Sequence, residues 1–151
     1  MTIQATLCFI LRDNKVLLLK KSKGLFGQDK WNAPGGKILP GEDAEQCAVR
    51  EVREETQLAI EDLEQTGILH FYKYDRRESP DWTVHVFLSR GFDGIPVSGR
   101  EGQIKWFNVK VCLSKRCGKT TDTGPSLRYR VEDLKDGSTT RVTSRTSSTT
   151  E

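Results

Sequence analysis

The stretch REVREETQL, residues 50–58, constrains this chain more than any other. It places three glutamates within about one and a half helical turns, and like charges that close together destabilise an isolated helix. The run from Glu42 to Thr56 nevertheless has helical length, good helix formers and acids in its first turn, where they complement the macrodipole. Plotted at about 100° per residue, Ala44, Cys47, Ala48, Val52 and Leu58 form one apolar sector, and Glu51 and Glu55 fall in the middle of it. Glu54 lies at its edge, while Arg53 and Gln46 face the other way. A merely solvated helix would turn its acids outward. Here two carboxylates are directed at the protein side, where an unpaired charge is costly, so something cationic must meet them. Two partners are open: arginines of the chain, of which Arg50 is nearest, or a divalent ion such as Mg²⁺ or Mn²⁺, which suits a cluster of hard oxygen ligands.

The residues before this helix bear on that choice. KGLFGQDKWNAPGGKILPGE is too rich in glycine and proline for regular structure beyond a short strand. Gly35-Gly36 lets backbone approach a ligand closely, and Gly41-Glu42 supplies a turn and a helix start. A glycine turn leading into an acidic helix could hold a metal–diphosphate between them. Upstream, residues 3–11 and 15–21 read as two strands joined by a tight turn at Asp13-Asn14. Downstream, GILHFYKY (67–74), DWTVHVFLSRGF (81–92) and residues 103–108 read as further strands. Strands on either side of one helix predict an α/β domain, a mixed sheet covered by that helix.

At 151 residues the chain has room for one domain. The net charge of +3 looks like a hint of nucleic-acid binding until it is divided: residues 109–151 hold nine Lys/Arg against five Asp/Glu, and the rest is nearly neutral. With no basic stripe interleaved with aromatics, no polynucleotide partner is expected. No apolar run reaches spanning length and the N-terminus breaks at Asp13-Asn14, so neither a membrane helix nor a signal peptide fits, and a cytoplasmic protein is the expectation. Cys8, Cys47, Cys112 and Cys117 show no C-x-x-C spacing, which argues for reduced thiols and against zinc.

GGKILPGEDAEQCAVREVREETQL resembles the box that defines the Nudix hydrolase family. Gly36, Glu42, Arg50, Glu51, Val52, Glu54, Glu55 and Leu58 fall on its pattern in register, and Gln57 departs from it where the family has glycine. The resemblance implies an α/β/α sandwich with the catalytic helix at about 43–56, and a Mg²⁺-dependent hydrolase (Mn²⁺ as substitute) of nucleoside diphosphates linked to another group. It implies that Glu51, Glu54 and Glu55 bind metal together with the carbonyl of Gly35, that Arg50 orients the glutamates, and that a loop carboxylate assists, for which Glu101 is the candidate. Outside the box, LLLKKSKGLFGQDKWNAPGGK, DWTVHVFLSRGF and EGQIKWFNV resemble the MutT-type subgroup that hydrolyses 8-oxo-dGTP and other oxidised purine triphosphates. On that likeness Asn32 and Phe26 line a base pocket with Thr6 at its floor, and Lys21 lies near the phosphates. Asn32 suits a purine edge because its amide both donates and accepts. Another nucleotide substrate within the family, such as a dinucleoside polyphosphate or nucleotide sugar, and an idle nucleotide-binding module are the alternatives. The oligomeric state is not legible.

A domain over residues 1–109 is therefore expected, followed by an atypical tail. Residues 137–151, GSTTRVTSRTSSTTE, are too poor in apolar residues to order themselves, so disorder is expected there. Where the subgroup continues with a stretch like I-P-F-x-x-M-W-x-D-D-x-Y-W-P, this chain has VKVCLSKRCGKTTDTGP. Read one base out of phase, the codons of Val111 to Pro125 can spell L-P-F-K-E-M-W-E-D-D-R-Y-W-P. The hypothesis is a slip of the coding frame near Lys110, which would remove the base-reading aspartates and the closing helix. Codons in the DNA that cannot spell that peptide would rule it out.

Overall fold

The computed structural model describes residues 2–21, 31–72, 78–100 and 102–109, together with the backbone of 128–133 and 139–143. Alternating apolar residues form β1 (Ile3–Arg12) and β2 (Lys15–Lys21), which pair antiparallel only next to their turn, from Arg12↔Lys15 to Ile10↔Leu17. Asp13 takes a left-handed backbone, φ 54°, a conformation that Asp and Asn tolerate better than most residues with a Cβ.

Past Leu17 the two strands separate, and the gap between them makes the site. The inner edge of β2 passes to the two-residue β3 (Trp31–Asn32), with Leu19 opposite Asn32. The inner edge of β1 takes residues 34–38: Cys8 N–H donates to the Pro34 carbonyl (2.8 Å), Thr6 N–H to that of Gly36 (2.9 Å), and Ile38 N–H to that of Gln4 (2.9 Å). A glycine-rich segment thus lies as a wedge between β1 and β2, directly before α1 (Ala44–Thr56).

The remaining strands are β4 (Ala59–Ile60), β5 (Glu64–Tyr72), β6 (Trp82–Ser89), β7 (Phe92–Asp93), β8 (Gly102–Asn108), β9 (Arg128–Asp133) and β10 (Thr139–Thr143). The large sheet runs β10-β9-β5-β6-β1-β2-β3, with β8 also paired to β2, while β4 and β7 form a separate ribbon. β1 and β6 are parallel from Ile3↔Trp82 to Ile10↔Ser89 and the other pairs are antiparallel, so the sheet is mixed as expected.

One helix lies on this sheet among the described residues. Ala48 and Val52 of α1, with Leu58 just beyond it, pack on Cys8, Ile10, Leu17 and Phe87, all 0% exposed. Burying one side chain of the size of Val52 or Leu58 stabilises by about 1.5–3 kcal/mol, which fixes both the helix and the orientation of its glutamates.

Two further strands lie beyond residue 110, where the sequence pattern predicts none. β9 pairs with β5 from Gly67↔Asp133 to Tyr72↔Arg128, and β10 pairs with β9. RYRVED is mostly charged and TTRVT mostly Thr, which hides them by composition, yet TTRVT is β-branched and suits a strand.

Candidate active site

Asp43 caps α1, accepting from the Gln46 N–H at 2.8 Å while Gln46 Oε1 accepts from the Asp43 N–H at 3.0 Å, a reciprocal capping box. The helix start is therefore fixed where the glycine wedge ends, and everything one face of α1 presents is aimed at that wedge.

The cation demanded by the glutamates is, in the first instance, Arg50. Its Nε and one terminal nitrogen hold both oxygens of Glu42, at 2.7 and 3.0 Å. The other terminal nitrogen donates to Glu51 Oε1 (2.8 Å) and Glu54 Oε2 (3.2 Å). One guanidinium thus gathers three carboxylates, which relieves the like-charge repulsion on the helix. These hydrogen bonds, that to Glu42 foremost, raise the Arg50 pKa above its ordinary value. The Arg50 contact, aided by the Leu39 N–H, pulls the Glu42 carboxyl from 4.5 down to about 2. Glu54 is 59% exposed in its side chain and Glu51 only 15%. Glu55 is 4% exposed, and its Oε2 accepts the Gly35 N–H at 3.0 Å.

The glycines are needed for contact. A Cβ on Gly35 would run into the Thr6 carbonyl, and one on Gly36 into the Glu51 carboxylate. Pro34 and Gly36 turn their carbonyls to β1. Because successive residues of an extended chain alternate, the carbonyl of Gly35 turns the other way, to the side where its N–H meets Glu55. The all-oxygen set of Glu51, Glu54, Glu55 and the Gly35 carbonyl fits a hard divalent ion. Among the described residues no three of His, Cys, Asp or Glu converge as a ready cage, and Arg50 and Gly35 engage these carboxylates.

The other residues expected in the site fare differently. Thr6 is 2% exposed, with its hydroxyl 3.3 Å from the Cys47 sulfur. Asn32 is exposed on β3, its Oδ1 accepting the Ala33 N–H at 2.9 Å. Lys21 is described only as backbone of β2, opposite Gly102, and Phe26 and Glu101 lie outside the described residues. Sequence reasoning gave Glu42 the helix start, but the cap is Asp43, and the task of Glu42 is its bidentate grip on Arg50. It also missed Cys47, whose thiol lies 3.6 Å from the Gly36 carbonyl and 3.5 Å from that of Lys37. Its only signal was a place in the apolar sector of the helix.

Comparison with known proteins identifies the family. The family described as NUDIX domain matches residues 1–122, so the chain belongs to the Nudix family. It is 36% identical over 104 residues to the oxidized purine nucleoside triphosphate hydrolase of Danio rerio, covering 69% of this chain and 65% of that one. The Mus musculus protein of the same name matches over the same shares at 36% identity, so the chain spans just under two thirds of these relatives' length. Among solved structures, a MutT protein from Bacillus halodurans superposes with TM-score 0.63 at 26% identity, over 74% of this chain and 72% of that one. A MutT Nudix hydrolase from Burkholderia pseudomallei, 24% identical, shares the fold with TM-score 0.62 over 73% and 85% of the two chains.

Proposed function

We propose that this protein is a Mg²⁺-dependent nucleoside triphosphate diphosphatase that cleaves oxidised purine nucleotides such as 8-oxo-dGTP to the monophosphate and pyrophosphate, clearing them from the nucleotide pool. The observation that carries this reading is the Arg50 cluster facing Gly35-Gly36, where carboxylates from one helix meet backbone that packs too closely on Thr6 for a Cβ at residue 35. The names of the Danio and Mus relatives support the substrate class.

Glu51, Glu54, Glu55 and the Gly35 carbonyl would hold the ion. When bound it neutralises phosphate oxygens and acidifies a water for in-line attack on phosphorus. Arg50 orients Glu51 and Glu54, Glu42 keeps Arg50 in place, and the wedge brings Gly35 close to Glu55. Asn32, exposed at the strand edge beside the wedge, is the candidate contact for the purine edge, with Phe26 and Lys21 as further substrate contacts and Glu101 as the assisting carboxylate. The catalytic unit in this reading is residues 1–109, and the frame slip near Lys110 is the proposed origin of the unusual sequence that follows. No described helix is long and apolar enough to cross a membrane, and a cytoplasmic location suits a pool of free nucleotides.

Parallel assays of 8-oxo-dGTP and dGTP, with products resolved by chromatography, test the substrate. Preferential conversion of the oxidised nucleotide to its monophosphate is expected. Equal rates on both would remove the oxidised-purine assignment, and turnover confined to dinucleoside polyphosphates or nucleotide sugars would move the protein to another branch of the family.

A further inference from the structure

Thr6 touches the glycine wedge through two backbone groups and α1 through its side chain. Its N–H donates to the Gly36 carbonyl at 2.9 Å. Its carbonyl occupies the space a Gly35 side chain would need. Its hydroxyl lies 3.3 Å from the Cys47 sulfur on α1. Cys47 in turn stands beside the carbonyls of Gly36 and Lys37 and 3.7 Å from an Arg50 nitrogen. Burial raises the Cys47 thiol above its ordinary pKa, so it keeps its proton and donates it to a wedge carbonyl. The sulfur is then left as acceptor for the Thr6 hydroxyl. Thr6 and Cys47 together form a bridge from β1, under the wedge, to α1.

We infer that Thr6 is a positioning residue for the metal-binding wedge and not a contact for the base: the hydroxyl–thiol bridge to Cys47 sets how closely Gly35-Gly36 sits against Glu51 and Glu55. At 2% exposure the side chain has almost no surface to offer a ligand, whereas both carboxylates that face the wedge depend on its height. This rests on the reading of Glu51, Glu54 and Glu55 as ion ligands.

The test is Mn²⁺ binding without nucleotide, followed by electron paramagnetic resonance, on the full chain and on Thr6→Val, Thr6→Ser and Cys47→Ala. Thr6→Val keeps the shape and removes the hydroxyl. It should weaken Mn²⁺ by about tenfold, the low end of what loss of a supporting partner costs a metal site. Thr6→Ser should restore binding. Cys47→Ala should lose at least as much as Thr6→Val, and the double variant no more than Cys47→Ala alone, because both cut one bridge. Should Thr6→Val fail to fold, Cys47→Ala carries the comparison alone. The ratio of 8-oxo-dGTP to dGTP turnover should not move in any of them. Unchanged Mn²⁺ affinity in Thr6→Val or Cys47→Ala overturns the inference, as does a shifted base ratio at unchanged affinity. A wild-type chain that binds no Mn²⁺ overturns the metal reading itself, and the positioning role with it.

Discussion

Gln57 ends α1 in a left-handed conformation, φ 64° and ψ 12°, with its N–H donating to the Arg53 carbonyl at 2.9 Å. This is the position where the box pattern has glycine. For a residue with a Cβ that backbone costs about 1–2 kcal/mol. Glycine would remove the cost but returns about 0.5–1 kcal/mol through its greater freedom in the unfolded chain. Gln57→Gly should therefore stabilise the fold by about 0.5–1 kcal/mol, the difference between those terms taken at like ends of their ranges. For a chain of this size that raises Tm by about 1–4 °C. The Gln57 side chain is exposed and the capping hydrogen bond belongs to the backbone, so no contact is lost to offset the gain. Urea unfolding of both proteins at neutral pH, with the slope held in common, measures the difference. A variant no more stable than the parent would show that the turn carries no strain and that the departure from the pattern is neutral.

Arg50→Lys keeps the charge but not the fork, so it cannot hold both oxygens of Glu42 while reaching Glu51. Steady-state kinetics should show a loss of about 10–100-fold in kcat/KM with the larger share in kcat, the scale seen when a partner of metal ligands is removed. Gly36→Ala drives a methyl into the Glu51 carboxylate and displaces it, so a titration of activity with Mg²⁺ should shift to higher concentration. Glu42 has a folded-state pKa near 2 against an ordinary 4.5, so its contribution to stability is complete above pH 4.5 and is lost as pH falls toward 2. Chemical unfolding at pH 5 and pH 3 should show Glu42→Gln losing less between the two than the parent does.

How much of this was legible in the sequence depends on the range of the forces involved. The helix at 44–56 and the inward turn of Glu51 and Glu55 follow from periodicity, a local property, and the strand pair at the N-terminus follows from alternation around Asp13-Asn14. The need for a cation was also readable. What the sequence left open was which cation comes first, because the choice depends on Glu42 lying eight residues before Arg50 yet closing on it across the helix start. The wedge between β1 and β2 was invisible for a related reason. Residues 34–38 carry no strand pattern of their own and are extended only because β1 offers them partners. Thr6 was read as a pocket floor from likeness alone, and its contact with Cys47, 41 residues away, is a tertiary fact that no local spacing contains. β9 and β10 were missed because their apolar content is low.

The most direct measurement is pyrophosphate release from 8-oxo-dGTP by the chain as it stands and by Glu54→Gln, each with and without Mg²⁺. Expected is release that requires the ion in the parent and is lost in the variant, with nucleotide binding retained by both. Release that persists without Mg²⁺ or in Glu54→Gln, or a parent that binds the nucleotide and never cleaves it, would contradict the assignment of the glutamate helix as a metal-dependent catalytic centre.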